Sequence, residues 1–173
     1  TAIEPRDTGN PCVLVQDYGD SPGTFEQDKL LREFSSLEKA DWAGSTWPPI
    51  VLHRDLWDLV GGLSVEFSPG MYSDPDLSMK LWQAGVRYFK GLGQSRVYHF
   101  GSKSTKRKRM NTGRDRFLMK WGISSSTFSK KYLRRGAPFS GPLAEPTLSS
   151  FDGWKNLFKR LQCVVRQGLR RFS

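Results

Sequence analysis

Between Phe67 and Gly85 the chain reads Phe-Ser-Pro-Gly-Met-Tyr-Ser-Asp-Pro-Asp-Leu-Ser-Met-Lys-Leu-Trp-Gln-Ala-Gly, a loop followed by a helix whose two ends are written into it. Pro75 fits only a first helical turn, where its missing N–H has no partner to lose. Ser73 and Asp76 have the Ser-x-x-Asp spacing of a capping box. Leu77, Leu81 and Ala84 recur on one face, and Gly85 stands where a left-handed C-terminal residue is expected. Asp74 and Asp76 are thereby presented at a helix N-terminus, beside backbone N–H groups without intrahelical partners. A carboxylate in that place can stabilise the helix by about 0.3–1 kcal/mol. It can also take a proton from a bound hydroxyl as a general base. The residues by themselves leave both roles open.

The 173 residues suffice for one domain with a real core, and six Trp and eleven Phe exclude a disordered chain. Charge is divided unevenly. Residues 1–100 hold 9 Lys/Arg against 14 Asp/Glu, and residues 101–173 hold 18 against 3, so the net +10 comes entirely from the second part. Such asymmetry points to an anionic partner for the basic region. Cys12 and Cys163 lie near opposite ends without metal spacing; a reducing compartment is expected, and one long-range disulfide is the alternative. Thr1-Ala-Ile-Glu-Pro5 has neither the basic nor the apolar region of a secretory leader, and no run approaches the roughly 18 apolar residues of a membrane span.

In order, residues 1–24 read as irregular apart from a strand at Cys12-Val-Leu-Val15, and a helix is expected from Thr24 through Leu37. Ile50–His53 reads as a short buried strand, and Arg54–Val60 as a helix stopped by Gly61-Gly62. Val86–Phe89 and Ser95–Phe100 are strand candidates. Gly101–Arg109 is a basic loop. Asn111–Trp121 and Ser126–Arg135 are helices, residues 136–150 a Pro/Ser/Gly-rich linker, and a last helix starts at Asp152.

Four pieces in order, Val51–Leu63 with its Gly-Gly turn, Phe67–Gly70, Ser73-Asp-Pro-Asp-Leu and Val97-Tyr-His-Phe-Gly-Ser102, resemble the C-terminal half of family 2 glycosyltransferases of the GT-A fold. Phe117–Ile123 and Tyr132–Arg134 are similar to the tail of certain bacterial members, so the resemblance covers roughly residues 1–135. It implies an α/β, Rossmann-like partial fold: an acceptor-side half over 1–135, the linker over 136–150, and a basic amphipathic helix over 151–173.

The resemblance also implies chemistry. Asp74 falls on the family's catalytic base, which would deprotonate a hydroxyl of a saccharide or lipid-linked acceptor. That hydroxyl attacks the anomeric carbon of a nucleotide-sugar with inversion. Asp76, Gly61, Gly62 and Trp47 would support the acceptor loop, Trp57 being a second candidate to stack on a sugar. His99 would be a ligand of a divalent metal, Mg or Mn, or a diphosphate contact; a strand-end histidine that is simply packed is the other reading. Lys103, Lys106 and Arg107 would neutralise the departing diphosphate, where negative charge develops. Two departures stand out. Ser73 replaces the family's usual Glu, and no Asp-x-Asp precedes residue 50. Thr1–Pro5 resembles the segment just after the family's metal-binding strand. On the order of 100 residues of a complete domain are therefore expected outside this sequence, and the chain alone is expected not to turn over donor.

The final helix carries Trp154, Leu157, Phe158, Leu161, Val164, Val165, Leu169 and Phe172 as an apolar stripe, with Lys155, Lys159, Arg160, Arg166 and Arg170 mostly off it. That pattern suits an anionic membrane surface; a helix packed on the domain with its basic face in water is the other reading. The expected location is cytoplasmic, peripheral to the inner membrane face if the tail docks there. Two other classes of function stay open: a non-catalytic carbohydrate-binding or scaffold fragment, and a nucleic-acid binder using Lys103–Arg116, Lys130-Lys131 and Arg134-Arg135. The latter lacks any helix-turn-helix, zinc or RNA-recognition signature.

Overall fold

A computed structural model describes residues 1–45, 49–68, 71–101 and 112–169. The chain is mixed α/β. A three-stranded parallel sheet has the order β2-β1-β5, from β1 (Ala2–Glu4), β2 (Val13–Val15) and β5 (Val97–Tyr98). Ala2 is opposite both Val13 and Val97, and Ile3 opposite both Leu14 and Tyr98. One side of this sheet is covered by α1 (Gln27–Glu33), giving a core of Ile3, Tyr18 and Leu30 with Phe25, Phe34 and Tyr98 around it.

A second, larger core belongs to the helices. α2 (Arg54–Val60), α3 (Ser73–Gln83), α4 (Gly113–Trp121), α5 (Ser125–Thr127) and the π-helical turn Phe128–Tyr132 enclose Phe67, Leu77, Leu81, Trp82, Phe117 and Phe128. A two-stranded antiparallel ribbon, β3 (Trp42–Ala43) with β4 (Lys90–Gly91), borders it. The last element, α6 (Ser150–Leu169), lies against α4. Ser149 and Asp152 form the reciprocal N-terminal box there: Ser149 Oγ accepts from the Asp152 N–H, and Asp152 Oδ2 accepts from the Ser149 N–H, both at 3.2 Å.

Several local expectations change. Ala2–Glu4, inside the stretch read as irregular, is the central strand of the parallel sheet. Three residues before a proline give too short an alternation to recognise; the strand exists because two distant segments pair with it. Ile50–His53 is not a strand: Val51 is 97% exposed and no neighbouring strand pairs with it, while His53 serves as the N-cap of α2 through its ring nitrogen to the Asp55 N–H. In the Val86–Phe89 region pairing falls later, at Lys90–Gly91, and Phe89 is buried in the core. At α3 the N-cap is Tyr72, in the left-handed region at φ 74°, and Asp76 does not close a capping box but turns into the interior. Cys12 and Cys163 are both buried free thiols, so the disulfide alternative does not hold.

The segment 136–150 is strapped to the domain. Leu143 is buried in the helical core and donates its N–H to the Arg87 carbonyl, Phe139 donates to Asp41, and Glu145 pairs with Arg87.

Candidate active site

α2 stops because Gly61 and Gly62 both take positive φ, 68° and 59°. Their N–H groups return to the Asp58 and Trp57 carbonyls, closing the C-terminus in the left-handed manner that glycine permits. Gly62 has a second reason to lack a side chain: a Cβ there would sit 2.6 Å from the Trp57 ring. The turn then delivers Ser64 and Glu66 toward α3 and α4, and the Gly62 carbonyl accepts a hydrogen bond from Lys80 on α3.

Asp76 lies beneath this turn, 0% exposed. Its Oδ2 accepts from Ser64 Oγ at 2.6 Å, and its Oδ1 accepts from Trp121 Nε1 at 2.8 Å. Lys120 Nζ stands 2.8 Å from Asp76 Oδ1 and 2.7 Å from Glu66 Oε1. Burial alone would lower the Lys120 ammonium, but hydrogen bonds from it to Asp76 and Glu66 outweigh that and raise it. The same ammonium lies over the Phe67 and Trp121 rings. A buried carboxylate satisfied by a hydroxyl, an indole and an ammonium from three segments is a clamp. It fixes the first turn of α3 against α4 and the 64–67 turn.

Asp74, two residues earlier, points away from that clamp, since two steps along a helix rotate a side chain to the far face. Its carboxylate is half-buried and has no ion-pair partner among the described residues. Desolvation therefore raises it from the ordinary aspartate range, with its own backbone N–H opposing weakly. The Asp74 carbonyl accepts from Ser78 Oγ at 2.9 Å, and that hydroxyl lies 2.8 Å from Ser45 Oγ, joining α3 to the loop after β3. Trp47, which follows this loop, lies outside the described residues. Trp57 is half-exposed with its ring on Gly62.

His99 stands apart from this group, at the end of β5, where its N–H donates to the Ile3 carbonyl. Its Nδ1 is 3.0 Å from Glu4 Oε1. A carboxylate at that distance fixes the orientation of the imidazole, the arrangement in which a carboxylate positions a ligating histidine. No group of three or more His, Cys, Asp or Glu side chains gathers among the described residues. Mg and Mn in phosphoryl-bearing sites take oxygen ligands, chiefly phosphate, water and one or two carboxylates; the described residues near His99 offer such a cation one imidazole nitrogen, with Glu4 engaged behind it. Glu4 was not singled out from the sequence; a lone acid before a proline carries no signal there. Lys103, Lys106 and Arg107 lie outside the described residues. No hydrogen bond or ion pair joins Asp74 to His99: one belongs to the helical core, the other to the sheet.

No protein-family model, curated protein or solved structure matches the chain. Among the described residues no helix is long and apolar enough to cross a membrane.

Proposed function

We propose that the chain is the acceptor-side part of an inverting, GT-A-type glycosyltransferase in which Asp74 is the general base. The observation that carries this reading is the division of labour between two neighbouring aspartates. Asp76 is wholly consumed by Ser64, Lys120 and Trp121, whereas Asp74, on the turn those contacts hold, keeps a desolvated carboxylate without a counter-charge among the described residues. A carboxylate so placed is a stronger base than a solvated one, which a weakly acidic sugar hydroxyl requires.

In the proposed step the acceptor hydroxyl oxygen bonds to the anomeric carbon while its proton passes to the Asp74 carboxylate. The bond from that carbon to the nucleotide diphosphate breaks on the opposite face, and its electron pair leaves with the diphosphate, giving inversion. A bound divalent cation supplies charge neutralisation for the diphosphate. His99 Nε2, oriented by Glu4, is the side chain assigned to hold it, with Lys103, Lys106 and Arg107 as the cationic neighbours in sequence.

The test is sugar transfer from nucleotide-sugar donors to saccharide and lipid-linked acceptors by the full-length protein that carries these residues. Asp74→Asn should lower kcat by about 10²–10⁴-fold with donor affinity unchanged. Transfer at an undiminished rate by the folded Asp74→Asn protein would overturn the assignment.

A further inference from the structure

α6 packs the wrong way round for a helix that ends its life inside one molecule. The residues it buries against the domain are polar or small: Asn156 is 3% and Cys163 0% exposed. Asn156 Oδ1 accepts from the Ser124 N–H at 3.0 Å and lies 3.1 Å from Thr127 Oγ1. Asp152 pairs with Lys131, and Arg166 with Asp115 on α4, along the same edge. At 100° per residue, positions 152, 156, 159 and 163 form one narrow face. The opposite face carries Phe151, Trp154, Leu157, Phe158, Leu161 and Val165, every one exposed, Trp154 at 71%. A continuous apolar ridge is thus held outward by a specific set of polar contacts.

We propose that this ridge lies in the interface of an anionic phospholipid bilayer, with the helix parallel to the surface. Charge selects this occupant. Lys155 and Arg160 fall on the two edges of the ridge, both exposed and without a carboxylate partner among the described residues. The acids nearest the helix are spent: Asp152 on Lys131 and Ser149, and Asp115 on Arg166. A second copy of the chain would bring like charges together along both edges with no acid to answer them. A lipid surface offers hydrocarbon for the ridge and phosphate for the edges, and aromatic residues such as Phe151 and Trp154 suit the headgroup boundary. The polar anchoring then fixes which side of the domain faces the bilayer. This inference does not depend on the transferase reading.

The experiment is co-sedimentation of the intact chain with vesicles of phosphatidylcholine alone and with phosphatidylglycerol added, at low and high salt. Wild type should sediment with the anionic vesicles at low salt and release as salt rises. Phe158→Glu with Leu161→Glu, both on the exposed ridge, should reduce partitioning by about tenfold or more while leaving the thermal midpoint unchanged. Lys155→Glu with Arg160→Glu should abolish the preference for phosphatidylglycerol. Absence of binding to anionic vesicles at low salt would overturn the proposal. So would a concentration-dependent dimer, seen by light scattering and dissolved by the ridge variants, in a chain that does not sediment with vesicles. Binding to a polyanion such as DNA that survives the ridge variants, again without vesicle binding, would assign the basic edges to nucleic acid instead.

Discussion

Asp74 loses solvation on folding and gains no cation among the described residues, so its carboxyl is raised relative to the unfolded chain. A raised folded value means that the protonated form is favoured in the native state. The resulting stability is fully present below the unfolded aspartate range and is lost as pH rises through the raised folded value. At neutral pH the charge of Asp74 is therefore a burden on the fold. Replacing it by Asn should stabilise the protein at pH 7, and the gain should vanish as the pH is lowered into the ordinary aspartate range; urea melts at several pH values measure this. The residue proposed to do chemistry is then one whose loss helps the fold. Asp76 is the contrary case. Asp76→Ala strands the Trp121 N–H, the Ser64 hydroxyl and the Lys120 ammonium, and should cost about 3–5 kcal/mol in chemical denaturation. The residues alone placed both acids on one helical turn with capping and base chemistry open to either, and only the family resemblance gave Asp74 the base and Asp76 a supporting place. The residues could not separate them, because the donors that occupy Asp76 arrive from Ser64, Lys120 and Trp121, on elements whose approach no local pattern encodes.

Elements long enough to complete their period were legible. The helices at Arg54–Val60, Ser73–Gln83 and Gly113–Trp121 follow from apolar spacing and from the glycines at 61, 85 and 122. Of the strands, Val13–Val15 and Val97–Tyr98 fall inside stretches read as strands, Cys12–Val15 and Ser95–Phe100, whereas Ala2–Glu4, Trp42–Ala43 and Lys90–Gly91 do not, being two or three residues long and defined by their partners. The Ser-x-x-Asp signature was equally ambiguous. It occurs at 73–76 and at 149–152, yet only the second closes as a box, because the first aspartate finds better donors in the interior. The β3–β4 ribbon has a steric condition the sequence did not announce. A Cβ at Gly91 would stand 1.8 Å from the Trp42 ring, whose Nε1 donates to Thr1 Oγ1 at 3.0 Å. Gly91→Ala should therefore destabilise the chain by about 1–3 kcal/mol, read as a lower urea midpoint with the slope unchanged.

On the scale of the molecule, the chain has two separate hydrophobic centres. His99 and Glu4 sit on the sheet with the smaller core, and the two aspartates on the helices around the larger one. The basic part of the chain supplies Phe117, Phe128, Leu133 and Leu143 to the second, and α6 adds an apolar ridge that is exposed. The strong charge division was plain from composition. The outward aim of the ridge was not: a periodic stripe declares that one face of a helix is apolar, and says nothing of whether that face meets its own domain or something else.

The middle position of β1 in its sheet carries a consequence for how the molecule comes into being. One neighbour, Val13–Val15, follows it closely in the chain, but the strand on its other side, Val97–Tyr98, comes only after α1, α2, α3 and both strands of the ribbon. Until then Ala2–Glu4 presents an open edge of unanswered amides. Closure over so great a sequence separation is slow relative to local helix formation. The sheet should be the last part of the chain to acquire protection from amide exchange during refolding, even though two of its strands precede every helix in the sequence.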